Sequence, residues 1–202
     1  MKKHWEFTGE TKEHGNVTLR RIRLTIDCRW GNAGDLGGWI EKEENLQDDA
    51  WVSGDAKVFE NAEVYGNARV YGDAQVYGNA WVYGNALVYG NAWVYGNARV
   101  YGNAWVYGNA LVSGNAEVSG NAEVSGGEWP TNPIQIQGSR HFVNECKPGH
   151  IQIGCKSLSI QEWLDNGEVV GKEEGYSDDE IWEYRQHVSH IKALYERRLS
   201  NE

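Results

Sequence analysis

The sequence predicts a mainly β chain. A coil of about five turns, built from short stacked parallel strands, is preceded by a small N-terminal β cap and followed by an α+β region ending in a helix. Three observations carry this. From Ile40 to Val124 an aliphatic residue falls at every sixth position, fifteen times, most often in the phrase V-Y-G-N-A-x. A small slot in the same phrase holds Ala thirteen times running, from Ala50 to Ala122. On either side the phrase stops, which sets the expected regions at residues 1–39, 40–126 and 127–202.

A helix needs apolar residues three or four apart and a long strand needs strict alternation, so a period of six suits neither. It suits a short strand and a sharp corner, repeated. Within one phrase Ala points in, the variable residue out, Val in and Tyr out. Gly-Asn then turns the corner, because both tolerate the left-handed backbone region. Three phrases close a triangle of eighteen residues, and five such turns stack to roughly 24 Å at the usual strand spacing.

In the N-terminal region His4–Thr8 and Val17–Asp27 read as strands, with a bulge near Arg20-Arg21. Gly34-Asp35-Leu36-Gly37-Gly38 reads as a turn into the first coil. A cap is required because an open coil end exposes unpaired strand edges. Arg20, Arg21, Arg23 and Arg29 form the one basic cluster, expected to be a solvated hairpin face. Beyond Gly126-Gly127, Pro130 and Pro133 mark a linker. Ile134–Gln137, Arg140–Asn144 and His150–Ile153 read as strands, and Ser159–Leu164 starts a short helix. Ser177-Asp178-Asp179-Glu180 is a capping box ahead of a helix over 178–199. Ile181, Tyr184, Val188, Ile191 and Leu194 form its apolar stripe.

The repeat resembles the hexapeptide-repeat, left-handed parallel β-helix family over residues 40–125. The resemblance implies the left-handed coil and a frequent trimeric state. Arg21-Ile22-Arg23, then Ala33-Gly34-Asp35-Leu36-Gly37-Gly38-Trp39-Ile40-Glu41, is similar to the lead-in segment of such proteins from bacteriophages and prophages. His150-Ile151-Gln152-Ile153-Gly154-Cys155, followed by Trp163, is similar to their C-terminal segment. This implies a phage origin and hence a bacterial host cell. The odd count of three cysteines suggests a reducing compartment, no apolar run approaches spanning length, and Met-Lys-Lys-His-Trp lacks a signal-peptide core, so the expected location is the cytoplasm.

Known enzymes of the resembled family are acyltransferases, with a coil histidine as general base, and carbonic anhydrases, with zinc on three coil histidines. Here none of the six histidines lies in residues 40–125, and no insertion interrupts the coil from Ala50 to Val124. The expectation is therefore a non-catalytic protein without a cofactor. A degenerate hexapeptide acyltransferase is the enzymatic alternative. His141, Cys146, His150 and Cys155 supply two imidazoles and two thiols, a chemically sufficient set for tetrahedral zinc. Their spacing is not that of a finger or knuckle, so the expectation is no metal site but two buried cysteines and two surface histidines, with zinc as the minor alternative.

The outward slots carry the remaining signal. Sorted every eighteen residues, Tyr71-Tyr89-Tyr107, Phe59-Tyr77-Tyr95 and Tyr65-Tyr83-Tyr101 form three ladders. Trp81, Trp93 and Trp105 occupy the outward slot before Val. Contiguous exposed apolar surface marks an interface. The candidates are self-association, with a trimer favoured, and binding of a host or phage protein. A net charge of −10 argues against nucleic acid or an anionic membrane as direct ligand. The function expected is inhibition of a host defence protein or sequestration of a ligand; a structural virion or assembly component is the other alternative.

Overall fold

The computed structural model describes residues 3–200, so positions 1, 2, 201 and 202 of the expected terminal regions lie outside the described residues. The chain divides into two compact units, Met1–Asn132 and Pro133–Glu202.

In the first unit β1 (Trp5–His14) and β2 (Val17–Leu24) form an antiparallel hairpin, and β2 pairs antiparallel with β3 (Leu36–Ile40). Thirteen two-residue strands follow at every sixth residue, β4 to β16, from Trp51–Val52 to Glu123–Val124, and then β17 (Glu128–Trp129). They sort into three parallel faces. The first is β3-β5-β8-β11-β14-β17, the second β4-β7-β10-β13-β16 and the third β6-β9-β12-β15. This is a β-solenoid of about five turns, as the six-residue period predicts. Partners stand eighteen residues apart, as in Val88 with Val106 and Trp93 with Leu111.

The interior is Ala and Val throughout, each fully buried from Ala50 to Val124. The corners need glycine twice over. Gly78 has φ +74°, and a Cβ there would stand 2.9 Å from Gly96 N in the turn below. Beside the glycines, the asparagines hydrogen-bond down the coil, Asn61 to Asn79, Asn97 and Asn115 at 3.1–3.2 Å.

The first turn departs from the pattern where it meets no turn above. Asp48 and Glu60 replace corner glycines and accept φ near +55°. Their carboxylates accept the N–H of Gly66 at 3.1 Å and of Gly78 at 2.8 Å, donors that belong to the turn below. The buried Asn45 side chain donates to the carbonyls of Glu60 and Ala62, and accepts from Lys42 N. At the other end Trp129 takes the place of an inward Val, opposite Val112, and is buried with its indole N–H on Gly126 O.

Two N-terminal expectations are corrected. β1 continues to His14 rather than ending at Thr8. The irregularity expected near Arg20-Arg21 is present: the β2–β3 register shifts between Arg21 and Arg23, and the β1–β2 register shifts between Phe7 and Thr11, opposite residues 20–22, where Gly9 takes φ +90°. Gly37 and Gly38 are strand residues, not a turn. A Cβ on Gly37 would meet Ile22 at 2.6 Å, and one on Gly38 would meet Val52 at 2.7 Å, so these glycines permit close packing.

In the second unit β18 (Gln135–Gln137), β19 (Phe142–Lys147), β20 (His150–Ile153) and β21 (Lys156–Ser159) form an antiparallel meander. Two helices follow, α1 (Ile160–Glu173) and α2 (Asp178–Leu199). The strand β21 is not foreseen from the sequence, and α1 is longer than the short helix expected at Ser159–Leu164. Ser159 and Glu162 form a capping box at its start, as Ser177 and Glu180 do for α2. The α2 stripe packs on this unit's own sheet and on α1, with Tyr184, Val188 and Ile191 against Val143, Ile151 and Trp163. Glu145, 1% exposed, accepts Ile134 N at 2.8 Å and pairs with Arg198 near the end of α2. No helix among the described residues is long and apolar enough to cross a membrane.

Candidate functional site

The three aromatic ladders form as the eighteen-residue sorting predicts. Tyr65-Tyr83-Tyr101, Tyr71-Tyr89-Tyr107 and Phe59-Tyr77-Tyr95 stack with ring centroids 4.8–5.1 Å apart and planes within 5° of parallel. That separation is the strand spacing, so the backbone imposes the stacking. Burial raises the phenol pKa of Tyr65, Tyr77 and Tyr83. Tyr89 is pushed up to about 12, first by burial and then by Tyr71 and Tyr107 on either side.

The N-terminal residues decide which outward aromatics stay open. Over the first face, Leu19 and Val17 pack on Trp39, Phe59 and Tyr77, and Lys12 Nζ sits 3.9 Å from the Trp39 ring centroid. His14 lies edge-on to Phe59 and hydrogen-bonds Gln75 at 3.2 Å. On the second face Trp51 is buried beside His4, and the Arg69 guanidinium lies between Trp30 and Tyr71, 5.0 Å from each. The basic cluster is spent in this cap. Arg21 stacks on Trp39, Arg23 pairs with Glu6 at 2.6 Å, and Arg29 donates to Asn67 at 2.7 Å.

Below the cap, Trp81, Trp93 and Trp105 remain 37%, 40% and 39% exposed, the most open aromatics of the coil. They lie on three different faces, in β9, β11 and β13. An eighteen-residue turn rises about 4.8 Å, so Trp81 and Trp105 differ in height by only about 6 Å. The three indoles thus form a belt around the coil rather than a patch on one wall. Each is backed by its own neighbours. Trp93 stands edge-on to Tyr77 and Trp105 to Tyr89, with centroids 6.3 and 6.5 Å apart. Trp81 lies under the Arg99 guanidinium at 5.0 Å, and Arg99 pairs with Glu117 at 3.4 Å. Sorting the outward slots every eighteen residues already places these three tryptophans on three different faces; that they stay open while Trp51 is covered is visible only in the structure. The twelve-residue spacing of the tryptophans moves each to the next face but one.

The structure does not bring the four candidate zinc ligands together. His141 precedes β19 and packs on the Gly154-Cys155 turn, where a Cβ on Gly154 would meet its ring at 3.3 Å. Cys146 and His150 lie at the opposite end of β20. Cys146 is buried beside Ser157 Oγ at 3.1 Å, and burial pushes its thiol pKa up. His150 Nδ1 faces Pro148 O at 3.1 Å. Among the described residues no group of three or more His, Cys, Asp or Glu side chains is placed to hold a metal ion.

His141 and Cys155 instead line a cavity of ≈ 270 Å³ enclosed by the β20–β21 turn, α1 and α2. Its walls are apolar, from Ile153, Trp163, Leu164, Ile181 and Val188. Tyr184 closes one end. Its hydroxyl accepts the N–H of Arg140 and of His141 and donates to His141 O. Arg140 stacks on Tyr176 at 4.5 Å and donates to the carbonyls of Glu174 and Gly175.

In comparison with known proteins, the model of the YdcK beta solenoid repeat matches residues 62–78, 74–89, 80–96, 92–108 and 104–120. No curated protein matches the chain. The chain is therefore similar to YdcK-type β-solenoid repeats across its central turns, and is a β-solenoid repeat protein.

Proposed function

We propose that this chain is a non-catalytic binding protein of the phage-type hexapeptide β-helix class, which inhibits a host defence protein by docking on the coil. The observation that carries this reading is the belt of Trp81, Trp93 and Trp105 on otherwise regular faces. Tryptophan and tyrosine supply large contact area with little side-chain entropy to lose, which is why they dominate interface hot spots. Ladder stacking holds these rings in place before a partner arrives, so little ordering cost remains. The coil turns from Ala50 to Val124 carry no histidine and no inserted loop, the two features on which the acyltransferases of the resembled family rely. A three-fold assembly would bury part of the belt on each protomer and leave the rest for the partner. The phage assignment rests on the resemblance of residues 21–23, 33–41 and 150–155. The acidic balance supports a protein rather than nucleic acid as partner.

Affinity purification of the tagged protein from infected cells, with mass spectrometry, tests the reading. The expected result is one stoichiometric host protein, lost when Trp93 and Tyr95 are both changed to Ala while the thermal midpoint is kept. A trimer with no partner, or turnover of an acyl-CoA donor, overturns it. Recovery of the protein in purified virions would move the function to assembly.

A further inference from the structure

We propose that the ≈ 270 Å³ cavity of the C-terminal unit is a binding site for a small, uncharged, two-ring aromatic compound carrying a hydroxyl or ring N–H. The first argument is a glycine that the packing does not need. Gly171 on α1 lets the helices approach, since a Cβ there would strike Ile181 at 2.8 Å. Gly167, one turn earlier, lines the same cavity, yet a Cβ there would meet only Trp163, at an ordinary contact distance of 3.6 Å. A helix-interior glycine costs about 1 kcal/mol relative to alanine. At Gly167 no close approach offsets that cost, and what the missing side chain provides is empty volume.

The second argument is the lining. Trp163, Tyr176 and His141 present ring surface, Ile153, Leu164, Val170, Ile181 and Val188 supply the aliphatic wall, and Arg140, Lys156, Glu168, Glu174 and Arg185 stand around them. The His141 ring and the Tyr176 hydroxyl are part of the lining, so the cavity offers a donor and an acceptor beside its apolar walls. Three cations line the cavity, and each faces a partner: Arg185 acts on the Glu168 carboxyl, whose pKa Lys172 lowers first and Arg185 lowers further, and the other two are matched directly. Arg140 is bound to carbonyls, and Lys156 pairs with Glu174 at 3.1 Å. An anion would find no unspent charge there from either residue, whereas a neutral ring would find apolar walls and one polar end, the usual make-up of a small-molecule site. An apolar cavity of about 150 Å³ admits benzene, so the volume here suits two fused rings.

The probe is 2-naphthol, with binding to the full chain followed by calorimetry. Unaltered protein and Gly167→Ala are expected to bind it, the latter with a raised thermal midpoint. Gly167→Leu, which fills the cavity, is expected to melt no lower and to bind at least about tenfold more weakly. Equal affinity in Gly167→Leu, or no binding by unaltered protein at about 1 mM probe, overturns the proposal. A second readout needs no variant. Cys155 is exposed at the cavity mouth, and Cys28 lies in the other unit. Saturating 2-naphthol is expected to slow maleimide alkylation of Cys155 several-fold and leave Cys28 unchanged. Unchanged rates at Cys155 overturn the site.

Discussion

From Ala50 to Val124 every interior position of the coil is Ala or Val, and the turns between its two ends repeat one another. In the C-terminal unit the core is Val143, Ile151, Trp163, Tyr184, Val188 and Ile191, and no two of these positions are equivalent. The coil repeats one solution with its inward Ala and Val fully buried, so its variety lies in the outward slots. The C-terminal unit joins unlike elements, a meander and two helices, and their imperfect fit encloses a cavity. Repetition yields surface function, and irregularity yields enclosed sites.

Substitutions can break this comparison, and the largest effect is expected in the coil. Val94→Asp places an unpaired carboxylate among fully buried aliphatics, between Val76 and Val112. It should cost more than about 4 kcal/mol. If coil turns communicate only with neighbours, hydrogen exchange will show lost protection in residues 76–112 while α1 and α2 keep theirs. Simultaneous loss in α2 would mean that the two units fold as one.

Glu145→Ala is the matching test in the C-terminal unit. It removes the acceptor of Ile134 N and the partner of Arg198, joining β18, β19 and the end of α2. A loss of about 2–3 kcal/mol is expected, since hydrogen bonds to a charged group are involved. Denaturant unfolding of the two proteins measures it, and a change under about 0.5 kcal/mol would show that the carboxylate is dispensable.

The smallest effect is that of alkali, and it sharpens the contrast. Tyr65, Tyr77, Tyr83 and Tyr89 have phenol pKa values raised above the ordinary 10.0, that of Tyr89 to about 12. Between those values the folded chain holds protons that the unfolded chain releases, so stability is full below pH 10 and falls as pH rises toward 12. In the C-terminal unit burial pushes Tyr176 up to about 12 as well. Melting curves across this range should show the coil losing more than the helices, and Tyr89→Phe should flatten the decline. An unchanged slope in that variant would mean that ladder burial is not what holds its proton.

How far the sequence foretells each region follows from the same contrast. The eighteen-residue register, the inward Ala and Val and the three ladders are consequences of a period, and a period is visible without coordinates. The start of α2 was visible because Ser177 and Glu180 act locally. The length of α1 was not, because Gly167 and Gly171 disfavour a helix interior, and only contact with Ile181 explains one of them. The covering of Trp51 and Phe59 by residues 4–30 depends on distant segments meeting, as does the cavity, so neither has a local signature. For the belt, spacing gives the face of each indole, but its exposure depends on where the cap stops.

The carboxylates of Asp48 and Glu60, and the indole of Trp129, have the role that end groups have in a polymer. A stack of identical turns has no internal reason to stop, since each turn presents to the next what it received from the last. The acidic corners satisfy the glycine N–H groups of the turn beneath with side-chain oxygens, and Trp129 fills the last inward slot with a group too large to be repeated. Coil length is thus set at its termini, and the number of turns between them is free to change in steps of eighteen residues without disturbing a single column.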